Sequence, residues 1–209
     1  MQSIWKTIQH IKFLLNGEYH PEKYWDDWAD DFIQDSWQVR IHPQHDWLIQ
    51  QLKEINPTSI LEIGCGFGRN IKFLIEKGIS AKIITGCDFS AKMLDMAKGY
   101  INNKDVKLFK ANVVDLPFRK DQFDLLISHG VFMHISTVNI RKATNEARRV
   151  ARKIILIEQN HMPEKEKDKS GKYTFIHDYK KLFSTHGEIT QYKDDKKLGL
   201  DLLVFKKDD

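Results

Sequence analysis

Three glycines in five residues, Gly64, Gly66 and Gly68, follow the apolar run Ile60 to Ile63 and precede a segment of helical periodicity. Glycine adopts backbone angles closed to other residues and lets a ligand approach the main chain, while the start of a helix presents free N–H groups. The combination suits a nucleotide-like ligand, although any tight strand-to-helix turn also favours glycine. The spacing is G-x-G-x-G, and Arg69 and Asn70 stand where the last glycine of the dinucleotide-binding G-x-G-x-x-G pattern would come. Asp88 lies 20 residues beyond Gly68, at the end of the next apolar run. A carboxylate there can accept both hydroxyls of a ribose, or cap the helix that follows. Asn112 and Val113 follow a third run, and His129 closes a fourth, Phe123 to His129. If these runs are neighbouring strands, four strand ends converge on one rim, where open sheets hold their ligands.

The elements that must position these residues follow from periodicity. Short apolar runs at 58–63, 82–88, 106–111, 123–129 and 153–159 read as strands, with helical patterns at 69–77, 90–102 and 138–151 between several of them. Strand and helix in alternation give a parallel sheet covered on both faces. A helix at 178–185 and strands at 187–193 and 200–206 close the chain, the last two near enough to form a hairpin with an antiparallel strand. The expected fold is α/β: a Rossmann-like, doubly wound, mostly parallel sheet of seven strands with a terminal antiparallel strand.

Residues 1–50 differ in composition. They hold all five tryptophans and eight acidic residues against four cations, so the remainder carries the basic excess. Helical stripes at 3–16, 21–34 and 43–55, the last two opened by Pro21 and Pro43, make this segment a helical, aromatic-rich cap or lid. Its rings either close one end of the core or enclose a ligand, with Tyr24, Trp25 and Trp28 as the candidate acceptor pocket. With 209 residues the whole chain, 1–209, reads as one domain whose ligand-binding core is 55–160.

Apolar residues at 41% and charged residues at 30% exclude collagen-like, low-complexity and wholly disordered chains. No apolar run is long enough to span a bilayer and the amino end lacks a signal-peptide pattern, so a cytoplasmic location with no membrane partner is expected. Two cysteines, Cys65 and Cys87, make neither a disulfide framework nor a metal site, and read as small buried side chains.

In order along the chain, LEIGCGFGRN, GCDFSAKMLDMAK, KANVVDLPF, FDLLISHGVFMHI and EARRVARKIILIE resemble the class I S-adenosylmethionine-dependent methyltransferases, in particular the small type 11 group, over roughly residues 55–160. The resemblance implies S-adenosyl-L-methionine as cofactor. It places Gly64, Cys65, Gly66 and neighbouring backbone on the methionine part, with Glu62 assisting through the local network. Asp88 would take the ribose, Phe89 would lie against adenine, Asn112 would accept from the adenine amino group where the family more often has aspartate, and Val113 would offer its backbone N–H.

Methyl transfer needs a nucleophile held in line with the methyl carbon, and a base helps if the acceptor is a hydroxyl. His129 and His161 are the candidate bases, both just at or beyond strand ends, and His129 would also touch the cofactor; His134 reads as a loop-holding residue. Ser128-His129-Gly130-Val131 departs from the Asn/Asp-Pro-Pro-aromatic segment of related amide and amine methylases, which disfavours N-methylation of adenine or glutamine. The acidic amino-terminal quarter argues against a phosphate-rich acceptor, and the cations from Arg141 to Lys153 read as a solvated basic helix face. The expected acceptor is a small molecule, with nucleic acid disfavoured and no oligomeric state specified. Two rival readings are a non-catalytic cofactor-binding subunit and a nicotinamide-linked oxidoreductase, the latter disfavoured by the glycine spacing.

Overall fold

A computed structural model describes residues 21–160, 174–185 and 187–208. Three helices come first: α1 (Pro21–Gln34), the single turn α2 (Ser36–Val39) and α3 (Pro43–Ile55). The alternating part then runs β1 (Ile60–Ile63), α4 (Arg69–Glu76), β2 (Ile84–Asp88), α5 (Ala91–Ile101), β3 (Lys107–Lys110), β4 (Phe123–His129), α6 (Ile140–Val150) and β5 (Ala151–Gln159). A short helix α7 (Tyr179–Phe183) leads to β6 (Gly187–Asp195) and β7 (Leu200–Lys207). The strands form one sheet in the order β3-β2-β1-β4-β5-β7-β6. All pairings are parallel except those of β7, which runs antiparallel to both β5 and β6. The seven-stranded, doubly wound sheet read from the sequence is therefore present, with β7 as its antiparallel strand.

Local signals set the helix ends. Pro43 occupies the first turn of α3, where a missing N–H costs nothing, and Asn56 ends that helix in the left-handed conformation at φ 47°. The Ser90 side chain caps α5 by accepting the Met93 amide at 3.0 Å. Successive strand residues point to opposite faces, which divides the core in two. On one face Leu61, Ile63, Leu126 and Leu156 pack with Phe132 and Tyr179; on the other Ile60, Leu125 and Ile127 pack with Leu52 and Ile71. The same alternation sends Glu62 and His129 toward α3 and α4, and Ser128 and Glu158 the opposite way. The chain reverses direction across the sheet between β1 and β4, opening a crevice at their carboxyl ends.

Of the cations from Arg141 to Lys153, Arg141, Lys142 and Arg152 are exposed as expected, but Arg148 and Arg149 are not part of a solvated face. Arg149 pairs with Glu146 and donates to the carbonyls of Phe118 (2.6 Å) and Leu116 (2.8 Å), and Arg148 donates to the Leu182 carbonyl (2.8 Å). They tie the turn before β4, and α7, to α6. Among the described residues no helix is long and apolar enough to cross a membrane. The stripe at 3–16 and His161 lie outside the described residues.

Candidate functional site

A cavity of about 230 Å³ occupies the crevice at the carboxyl ends of β1, β2 and β4. The glycine turn forms its floor. Gly66 has φ 53°, and a Cβ built there would meet no atom within 4 Å, so this glycine leaves an open cradle on the cavity wall. Gly64 and Gly68 serve packing: a Cβ would come within 2.5 Å of Val131 at the first and 2.6 Å of Ile101 at the second. Asp88 fixes the turn. Its Oδ2 accepts the Gly66 amide and its Oδ1 the Ser90 amide, both at 2.9 Å. Burial raises its pKa above the ordinary value, against the pull of those amides.

Gly64, Cys65, Gly66, Asp88 and Phe89 all line the cavity, as do Asn112, Val113 and His129. Asn112 Oδ1 accepts the Val114 amide at 3.2 Å, a local turn that fixes the side chain and engages one lone pair of the oxygen that would meet adenine. Burial pushes the Cys65 thiol well up, and both cysteines are free. Glu62 is not on the wall: it stands behind, its Oε1 accepting Asn70 Nδ2 at 2.6 Å and its Oε2 without a partner among the described residues.

Helix α1 covers the cavity with Pro21, Trp25 and Phe32, while Ala29 packs beside Phe67 and Met93. This is the face spaced at i, i+4, i+8 and i+11. Tyr24 and Trp28 fall off it; they pack on Trp25 at ring separations of 5.4 and 5.6 Å and do not line the cavity. The sequence reading took the cluster of adjacent aromatics; the helical period selects Phe32 in their place. Trp25 also meets His134 edge-on at 5.0 Å across the opening. Acidic residues on α1 latch it down: Asp26 accepts Ser90 Oγ at 2.5 Å, Asp30 pairs with Lys92 and Glu22 with Lys110, each at 2.6 Å. The two ion pairs are exposed, each of the weak surface kind.

The far end of the cavity is polar. Arg69 and Asn70, the first residues of α4, line it with His129. Asn70 Oδ1 accepts from His45 Nε2 at 3.0 Å, and His45 Nδ1 lies 3.1 Å from both the amide and the carbonyl of His42, contacts that the neutral Nε2–H tautomer satisfies by accepting the amide. Burial, then the Arg69 charge, lowers the His45 pKa to about 4, which agrees. His129 has Gln44 Nε2 at 3.5 Å from its Nε2, too long for a strong bond, and its Nδ1 is buried without a partner among the described residues. Burial first, then the Arg69 charge, holds His129 well below the ordinary histidine pKa, so the ring is neutral at pH 7. Of this chain the sequence reading named Glu62 alone as a site residue; the link through His42, His45 and Asn70 was missed because α3 and α4 meet only in the fold.

Glu158 was missed as well. Buried on β5, it accepts Ser128 Oγ at 2.6 Å and the amides of Val131 and Met133 at 3.1 and 3.2 Å, fixing the loop that carries Gly130, Val131 and His134 along the cavity. Burial raises its pKa to about 7. The signal was an acid directly continuing the apolar run Ile154 to Ile157.

These residues fit an adenosyl amino-acid cofactor: a side-chain-free cradle at Gly66, a carboxylate at the end of β2 and an apolar wall at Phe89 and Val113. Comparison with known proteins agrees. Residues 60–153 match the family model of a methyltransferase domain. A probable tRNA methyltransferase 9B from Homo sapiens is 34% identical over 104 residues, covering 48% of this chain and 21% of that protein. A demethylmenaquinone methyltransferase from Lactococcus lactis is 31% identical over 127 residues, 56% of this chain and 50% of that protein. The chain thus aligns with about a fifth and a half, respectively, of these relatives' lengths. The crystal structure of magnesium protoporphyrin IX methyltransferase from Synechocystis, with bound SAH, shares the fold at a TM-score of 0.69 and 14% identity, over 90% of this chain and 98% of that one. Residues 60–153 accordingly match a methyltransferase domain, and the chain shares the fold of such enzymes.

Proposed function

On the premise of that domain and its S-adenosylmethionine cofactor, we propose that the protein methylates a small acceptor enclosed beneath α1. The roof carries this reading: Trp25 and Phe32 close over the cavity, and Trp25 meets His134 on the opposite lip. A roofed cavity of about 230 Å³ suits a small molecule better than a polymer. Helix α1 carries Glu22, Asp26, Asp27, Asp30 and Asp31 against Lys23 alone, an acidic excess that disfavours a phosphate backbone, and Arg148 and Arg149 are spent on internal carbonyls. The human relative's name keeps tRNA as the competing acceptor.

The cofactor's chemistry here is donation of a sulfonium methyl to a nucleophile. The chain's part begins with Asp88, whose two oxygens are aimed by the Gly66 and Ser90 amides and keep lone pairs for two ribose hydroxyls. Phe89 and Val113 flank the base, Asn112 reads its edge, and the Gly64 to Gly66 backbone supports the amino-acid part. Glu62 acts through Asn70 rather than by contact. Trp25 and Phe32 exclude water and hold the acceptor close, and such positioning supplies most of the acceleration in a displacement of this type. For a hydroxyl acceptor, neutral His129 takes the proton as the new bond forms. Its lowered basicity weakens it as a base but keeps it unprotonated throughout the neutral range.

Incubation with methyl-tritiated S-adenosylmethionine and a cell extract separated by size tests the acceptor class. Label should collect in the low-mass, RNase-resistant fraction; label confined to RNase-sensitive material contradicts the small-molecule reading and favours tRNA.

A further inference from the structure

Arg69 reaches the cavity wall beside Asn70 and His129. Its Nε donates to Asn70 Oδ1 at 3.3 Å and its Nη1 to the Gln38 carbonyl at 2.8 Å. Both acceptors are neutral, and among the described residues no carboxylate forms an ion pair with it. The anion whose charge acts on it most is Glu62, but that group is committed to Asn70 and is raised by burial to about 8, hence largely protonated at neutral pH. A guanidinium has five N–H donors, and two are used here. Removing such a cation from water is costly unless an anion completes it. The remaining donors belong to a side chain that lines a cavity shaped for a ligand.

From these contacts we propose that Arg69 is a carboxylate-binding residue of the pocket, receiving a singly charged, planar anionic group on the molecule seated between the glycine turn and His129. Carboxylate rather than phosphate fits, because one negative charge balances one guanidinium in a buried wall, whereas a phosphate dianion would bring a second charge with no partner there. Two molecules carry such a group: the cofactor, through its amino-acid carboxylate, and an acidic acceptor. The proposal rests on the cofactor reading above, and neither source is assigned by the motif, since Arg69 stands outside the glycine positions. Placed at this end, the positive charge also disfavours protonation of His129, which couples occupancy of the subsite to the state of the base: an anion bound to Arg69 raises the His129 pKa.

Calorimetry with S-adenosylhomocysteine and with its decarboxylated analogue, S-adenosyl-3-thiopropylamine, tests this on the wild-type protein and on Arg69→Gln. If the cofactor supplies the carboxylate, the wild type binds S-adenosylhomocysteine at least tenfold more tightly than the analogue, and Arg69→Gln brings the ratio near one. If the acceptor supplies it, the ratio is near one in both proteins. The wild type saturated with S-adenosylhomocysteine then binds succinate, and Arg69→Gln does not. The first comparison uses unaltered protein, so it holds even if the variant folds poorly; Arg69→Lys, which keeps the charge, should recover part of the discrimination. A ratio near one in the wild type together with no Arg69-dependent succinate binding overturns the proposal while leaving the cofactor reading intact. Failure of the wild type to bind either adenosyl compound overturns the cofactor reading itself.

Discussion

The Gly66 amide donates to Asp88 Oδ2 at 2.9 Å, joining two residues 22 apart in sequence. The carboxylate proposed to take the ribose is thus also the peg that holds the glycine turn, and the turn in return aims the carboxylate. Cradle and ribose site are one unit, so damage to either is expected to reach the other.

Asp88→Ala should weaken S-adenosylmethionine binding by more than tenfold, since charge-assisted hydrogen bonds of roughly 1.5–3 kcal/mol each are lost and the Gly66 amide loses its acceptor. Asp88→Asn, which keeps one acceptor oxygen, should fall between. Titration calorimetry on folded protein decides it; undiminished affinity in Asp88→Ala would move the ribose site elsewhere.

Gly66→Val should abolish cofactor binding while the fold survives. At φ 53° a branched residue is strained, yet its Cβ would meet no atom within 4 Å and the added bulk falls on the cavity wall. Gly64→Val behaves differently, because there the side chain collides with Val131 and stability falls as well. Thermal melts beside binding curves separate the two; normal binding by Gly66→Val would make the turn merely structural.

Much of this arrangement was legible in the sequence. The short apolar runs found the seven strands of the described residues, and Pro21 and Pro43 mark helix starts where the chain turns. The cavity-lining glycines, Asp88, Asn112 and His129 could be named because each sits at a strand end, and strand ends in such a sheet share one rim. What escaped depends on rotation and on long-range packing. Tyr24 and Trp28 lie off the roof because only the face containing Trp25, Ala29 and Phe32 turns inward. Gln44 and His45 reach His129 and Asn70 only once α3 lies over the sheet, and no local pattern reports that. Arg148 and Arg149 looked solvated because their acceptors are backbone carbonyls, which leave no trace in a sequence.

Glu62 should make the protein lose stability as pH rises. Burial lifts its carboxyl to about 8 in the folded chain, above the value of an unfolded glutamate. Folding therefore favours the protonated form, and that contribution is complete below about pH 4.5 and disappears as pH climbs through about 8. Glu158, raised to about 7, adds in the same sense. Melting temperatures of wild type and Glu62→Gln between pH 5 and 9 should converge at the acid end and diverge at the alkaline end, with the variant the more stable there; parallel curves would contradict the assignment.

His129→Ala should cut turnover at least tenfold with cofactor affinity nearly intact if the acceptor is a hydroxyl, general-base assistance being worth about 10²–10⁴-fold. An unshifted histidine would make the rate fall below about pH 6.5. Burial and the Arg69 charge move that step well lower, so the wild-type rate should stay level through pH 6.5. A rate that halves near pH 6.5 would show that the ring is more solvated than its surroundings indicate, and wild-type turnover in His129→Ala would remove it from the mechanism.

The central claim, that the cavity at the carboxyl edge of the sheet is an S-adenosylmethionine site, is tested most directly by calorimetry with S-adenosylmethionine, S-adenosylhomocysteine and NAD in parallel on the unaltered protein. The account predicts one-site binding of the two adenosyl compounds and none of NAD; binding of NAD alone would contradict it.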